Sequence, residues 1–176
     1  MTLRSSKNTA TDWNRINSNE SGLELPLSKS ELETFLEEPR LAHLATASRQ
    51  GRPRVSPIWY VYEKGVFYFT MRLGRVKGQH IQSNPSVALS IATDERPYRA
   101  VCAFGKAQIL KENRDKWLER ISFRYGEEDG KSWLAHAVKQ PDRVVMMLKP
   151  DSVLSWDYGR DDNARQDKGE SMATPT

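Results

Sequence analysis

Residues 66–85, VFYFTMRLGRVKGQHIQSNP, bring together the side chains best suited to holding an anion. The aromatic run Val66-Phe67-Tyr68-Phe69 has the composition of a strand. The chain turns polar at Thr70 and enters a basic segment, Arg72-Leu73-Gly74-Arg75-Val76-Lys77-Gly78. A short helix is expected over residues 76–83, with Pro85 stopping the chain soon after. A strand, a cationic glycine-containing loop and a helix start suit a phosphate. The first turn of a helix offers unpaired N–H groups at the positive end of its dipole. Arginine adds a planar fork and lysine a point charge. On local sequence alone the same cations also fit a solvated surface loop, the usual fate of a charge run.

Other chemistry is absent. No G-x-G-x-x-G, Walker lysine or G-x-S-x-G pattern occurs. His43, His80 and His136 lie far apart in no metal-ligand spacing, so no metal site is expected. His43, in a strand, reads as packed or hydrogen-bonded. Cys102 is the only cysteine, which excludes an internal disulfide, and it reads as a buried, inert thiol. No side chain is identified as catalytic. An enzyme built on this chain would take its chemistry from a bound cofactor.

The elements that must position the basic loop follow from patterning. At 176 residues the chain favours one domain. An apolar content of 38% fits a small core with polar ends. Residues 1–25 and 158–176 read as disordered tails around a domain at 26–157. No apolar run is long enough to span a membrane, and the polar N-terminus lacks a signal region. With the single cysteine, this points to the cytoplasm. The net charge of +4 is too small to indicate nucleic acid.

A first helix is expected over residues 28–37, with Ser28 and Glu31 as a capping box and Leu32, Phe35 and Leu36 as its apolar stripe. Strands follow at 41–48, 54–62, 66–69, 87–92 and 98–110, the last bent at Gly105, read as five strands in meander order. Pro57 interrupts the second, which makes that strand either an edge or a bulge that opens backbone toward a ligand. Helices at 112–125 and 129–139 precede further strands at 144–148 and 153–156. The fold class is mainly β with flanking helices, a barrel or a sandwich.

The ordered motifs EPRLAHLATAS, GRPRVSPIWY, FYFTMR, KGQHIQSNPSVAL and GKA resemble the pyridoxamine 5'-phosphate oxidase-like superfamily of flavin-binding split barrels. The nearest branch contains FMN-dependent and deazaflavin-dependent reductases. The resemblance covers residues 32–109, with a weaker echo at 144–156. It implies a six-stranded split β-barrel homodimer with two cofactor sites at the interface. It further implies that Thr70, Arg75 and Lys77 hold the cofactor phosphate, with Arg72 nearby. Val55, Ser56, Pro57, Ile58 and Trp59 would lie along the ring, and Arg99 and Trp156 would come from the partner subunit. Arg99 would stabilise negative charge on the ring.

The implied function is an FMN-binding oxidoreductase that passes hydride or electrons to a small acceptor. One alternative is the deazaflavin coenzyme, with Arg52, Arg54 and Arg72 along its acidic tail. Another is a non-catalytic flavin or haem binder, with His43 or His80 as axial ligand. Three departures stand out. One extra residue between Thr70 and Lys77 leaves open which arginine meets the phosphate. His80 replaces the Asn of many relatives. The C-terminal Arg-and-His signature of pyridoxamine phosphate oxidation is missing, so vitamin B6 oxidation is not expected.

Overall fold

The computed structural model of the protein describes residues 27–160. Most of the two expected tails therefore lies outside the described residues. The chain opens with helix α1 (Lys29–Glu37). The Ser28 hydroxyl accepts from Glu31 N–H and the Glu31 carboxylate accepts from Ser28 N–H, which closes the capping box. Arg160 bonds the same carboxylate and, with Ser28, holds Glu31 down at about 2. Residues 158–160, expected to begin a tail, thus fold back onto α1.

Eight strands follow: β1 (Ala42–Ala47), β2 (Pro53–Ile58), β3 (Tyr60–Glu63), β4 (Val66–Arg72), β5 (Ser86–Ala92), β6 (Arg99–Ile109), β7 (Arg143–Leu148) and β8 (Ser152–Asp157). Helix α2 (Val76–Ser83) lies between β4 and β5; α3 (Arg114–Phe123) and α4 (Glu127–Ala137) lie between β6 and β7. The strands form one curled antiparallel sheet in the order β2-β1-β5-β6-β7-β4-β3, with β8 also paired to β6. Counting β2 and β3 as one interrupted run, and setting β8 aside, leaves the six strands of the expected split barrel.

The expected meander is corrected by this pairing. β2 pairs with β1, whereas β3 pairs with β4 on the far side of the sheet. β4 does not continue to β5; α2 carries the chain back so that β5 pairs with β1. The single run read at 54–62 therefore divides at Trp59, and each half serves a different side. β2 lies at an edge, where proline loses no ladder bond to a second neighbour. β6 pairs with β8 up to Phe104 and with β7 from Ala107, so the chain changes sides around Gly105. A Cβ at Gly105 would sit 3.0 Å from Leu148 Cδ1, so the crossing is tight.

One core fills the inside of the curl. Phe35 and Leu36 of α1 meet Leu44, Tyr60, Phe67, Phe69, Leu89 and Met146 there. α3 packs on β3, β4 and β7, with Leu118 and Ile121 fully buried. Trp117 of α3 stacks on Tyr68 at 3.7 Å between centroids. α4 then packs on α3, where a Cβ at Gly130 would stand 2.9 Å from the Ser122 carbonyl oxygen. Among the described residues no helix is long and apolar enough to cross a membrane.

Candidate cofactor site

The division at Trp59 is built by side chains. Tyr125, just beyond α3, places its hydroxyl against the Tyr60 backbone, accepting from Tyr60 N–H at 3.0 Å. It donates to the Arg40 carbonyl at 2.8 Å. Backbone groups that a continuous strand would have paired are thereby satisfied by a phenol. Burial raises the Tyr125 pKa, so it stays protonated and available as a donor. Its ring stacks on Trp59 at 4.8 Å, nearly parallel at 6°. Trp133 of α4 closes on Trp59 from another side at 5.7 Å and 42°.

These indoles form one wall of a pocket of about 400 Å³. Leu41, Pro57 and Ile58 continue the apolar lining, and Thr70, Lys77 and Arg143 supply its polar part. No carboxylate lines it among the described residues. The Thr70 hydroxyl, on buried backbone late in β4, accepts from Arg143 Nη1 at 2.8 Å. Arg143 Nε donates to Gln140 Oε1 at 2.8 Å, and its guanidinium carbon stands 4.9 Å from the Trp133 ring centre. Lys77 sits in the first turn of α2, whose N-cap residue Arg75 makes no side-chain capping bond. Among the described residues no acceptor reaches the Lys77 ammonium. Burial, then repulsion from Arg143, pushes its pKa below that of a free lysine. Burial and nearby Arg72 likewise lower Arg143. Asp142, outside the pocket, offsets part of this for Arg143; the pocket lining itself carries two cations and no carboxylate, an arrangement that favours an anion.

Of the residues expected to bind a cofactor, the pocket unites Pro57, Ile58, Trp59, Thr70 and Lys77. It does not include the others. Arg72 turns away to Asp142, whose two carboxylate oxygens accept from its Nε at 2.9 and 3.2 Å. That bond holds the Asp142 carboxyl below the usual range. Arg75 is exposed at the N-cap. Val55 is 62% exposed, opposite Ala45 on the outer face of the sheet. Ser56 pairs across β1 with Leu44, and Trp156 pairs with Ala100 across β6. Arg99 lines a separate groove of about 390 Å³ with Arg40, Thr93 and Arg96. The groove and the pocket flank the link between Arg40 and Leu41, one residue lining each. His43 is exposed opposite Pro57, and His80 Nδ1 lies 3.2 Å from the Thr46 hydroxyl; neither lines the pocket. Among the described residues no three metal-binding side chains come together.

Leu41, Trp133 and Arg143 were not legible as site residues. Arg143 stands directly opposite Arg72 in the β4–β7 register, a relation only the pairing reveals. Trp133 reads in sequence as one more apolar residue of a helix.

No curated protein matches the chain. Among solved structures, a conserved hypothetical protein from Mycobacterium tuberculosis superposes with a TM-score of 0.67 at 19% identity, covering 86% of this chain and 94% of that one. An F420 reductase gives 0.56 at 28% identity, with coverage of 69% and 94%. HutZ, the haem storage protein from Vibrio cholerae, gives 0.56 at 20% identity, with coverage of 69% and 89%. The two matches near 20% identity show a shared fold and no more. The family profile described as pyridoxamine 5'-phosphate oxidase matches residues 28–157, which spans the whole described sheet, and the chain belongs to that family.

Proposed function

We propose that the chain is a flavin-dependent oxidoreductase that holds FMN in the pocket between Trp59 and Lys77. The observation that carries this reading is the unpaired, half-buried Lys77 ammonium facing a slot walled by two indoles. A phosphate satisfies the ammonium, with α2's uncapped N-terminus beside it. A planar ring suits the aromatic and proline lining. When bound, the cofactor supplies the hydride and electron transfer. The chain's own residues bind and orient it: Lys77 and Thr70 at the polar end, Pro57, Ile58 and Trp59 along the slot. The F420 reductase neighbour favours a second cofactor, the deazaflavin coenzyme, in the same place.

The reading includes a homodimer in the cytoplasm. Its support is the outer sheet face, where small and apolar residues align across strands. Val55, Ala45, Ala88 and Phe104 form one row, which runs on to Ser152, and His43, Ser90, Cys102 and Leu154 lie in the next. Phe104 is 38% and Val55 62% exposed, so the apolar part of the row is open to solvent at both ends. Trp156 lies on this same face, two rows beyond Phe104, so a second copy covering it would meet Trp156. Ala88→Arg places a long cation at the centre of the row and is expected to give a folded monomer. Sedimentation velocity checks this; a dimer unchanged by Ala88→Arg places the interface elsewhere.

The test of the cofactor is a titration of the purified protein with FMN and with the deazaflavin coenzyme. Trp59 and Trp133 line the pocket, so tryptophan emission should fall as either ligand fills it. Saturable quenching by FMN, with a perturbed visible spectrum, supports the proposal. Quenching by the deazaflavin alone transfers the site to that cofactor. No saturable binding of either overturns the reading.

A further inference from the structure

Sequence places three cations near a bound phosphate, but the fold disposes of two of them. Arg72 is held by Asp142, and Arg75 is exposed at the helix cap. The pocket instead receives a guanidinium from the first residue of β7. Building on the cofactor reading above, we propose that Arg143 is the second cationic ligand of the phosphate beside Lys77, and that Trp133 of α4 positions it.

Three observations support this. Arg143 lines the same pocket as Lys77 and Thr70. Its guanidinium is oriented before any ligand arrives: Nε is held by Gln140 Oε1, Nη1 by Thr70 Oγ1, and one face by the Trp133 ring. Nη2 has no protein acceptor among the described residues, so one edge of the fork is left for a ligand. A guanidinium fixed on three sides loses little freedom when it binds, which makes it a better anion ligand than a mobile surface arginine. Gln140 and Trp133 belong to the α4 region, so the helical hairpin, and not only the strand–loop–helix unit, shapes the phosphate end. Arg114 fixes that region in turn, donating to the carbonyls of Ala137, Gln140 and Arg143.

The experiment compares FMN with riboflavin, which has the same ring and no phosphate. Arg143→Gln should weaken FMN by roughly tenfold to a hundredfold, the range of a charge-assisted hydrogen bond, and leave riboflavin nearly unchanged. Retained riboflavin binding also shows that the variant is folded. Arg75→Gln should change neither affinity. Trp133→Leu should lower the preference for FMN over riboflavin when Arg143 is present and add nothing in the Arg143→Gln background, the signature of residues acting as a unit. A wild-type preference surviving in Arg143→Gln, or lost in Arg75→Gln, overturns the proposal while leaving the flavin reading intact. Equal losses of FMN and riboflavin also overturn it, since Arg143 would then shape the pocket alone. If neither flavin binds the wild type, the flavin reading fails by itself. The line width of the phosphorus resonance of inorganic phosphate then decides: broadening by wild type that disappears in Arg143→Gln supports the assignment, and its absence overturns it.

Discussion

Lys77→Met is expected to weaken FMN binding and to stabilise the ligand-free protein, two effects of opposite sign from one change. Methionine keeps most of the side chain's length and apolar contact while removing its charge. The phosphate loses a charge-assisted hydrogen bond, which costs about 1–3 kcal/mol of affinity. The ligand-free fold loses a half-buried cation with no acceptor among the described residues, standing beside Arg143. Partial exposure screens that penalty, so the gain in stability should be below about 1 kcal/mol. Titration calorimetry and urea denaturation of the same preparation check the pair. A Lys77→Met protein less stable than wild type would mean the ammonium has a partner in solution. Charge reversal, Lys77→Glu, should go further and weaken FMN more than about a hundredfold, because a carboxylate then faces the phosphate.

The pH dependence follows with its sign. Burial first, then Arg143, lowers the Lys77 pKa in the ligand-free fold. Between this lowered value and the unfolded one, the unfolded chain holds the extra proton, so stability rises with pH across that window. A bound phosphate favours the charged ammonium and raises its pKa again. Binding therefore takes up a proton, and FMN affinity should fall as pH rises through the lowered value. In Lys77→Met this alkaline fall should disappear, whereas a structural role for Lys77 would leave it in place.

Local features were legible and pairings were not. The Ser28–Glu31 capping box and α2 at residues 76–83 are set by neighbours in sequence, and they form as expected. The interruption of the second strand run was visible in Pro57, but its position at Trp59 depends on Tyr125, more than sixty residues on. Which arginine meets an anion could not be chosen locally, because Asp142 and not the loop decides it. Asp142 removes Arg72, and the next residue, Arg143, takes the place in the pocket. Both lie at the start of β7, brought against β4 by antiparallel register. The polar end of the pocket was thus half written in one segment and half in another that carries no motif.

Gly78→Ala should destabilise the protein, although helix propensity predicts the opposite. Within a helix, alanine is favoured over glycine by about 1 kcal/mol. At Gly78, however, a Cβ would stand 2.3 Å from the Arg72 carbonyl oxygen, 2.7 Å from Leu73 Cα and 2.8 Å from the Leu73 carbonyl oxygen. All three are backbone atoms, so no rotamer change relieves the contact. Either α2 or the loop after β4 must shift. The loop is pinned, since Leu73 N–H donates to the Asp142 carbonyl and Arg72 is held by the Asp142 carboxylate. The helix is pinned to the loop as well, because Gln82 Nε2 donates to the Leu73 carbonyl at 3.1 Å. Overpacking against atoms that cannot yield costs about 1–3 kcal/mol and occasionally more, which outweighs the propensity gain. Gly78→Ala should therefore lower the denaturation midpoint. Because Lys77 is the preceding residue, any variant protein that still folds should also bind FMN more weakly than wild type. A Gly78→Ala protein as stable as wild type would show that α2 does not lie this close to the loop, and the position of Lys77 in the pocket would fall with it.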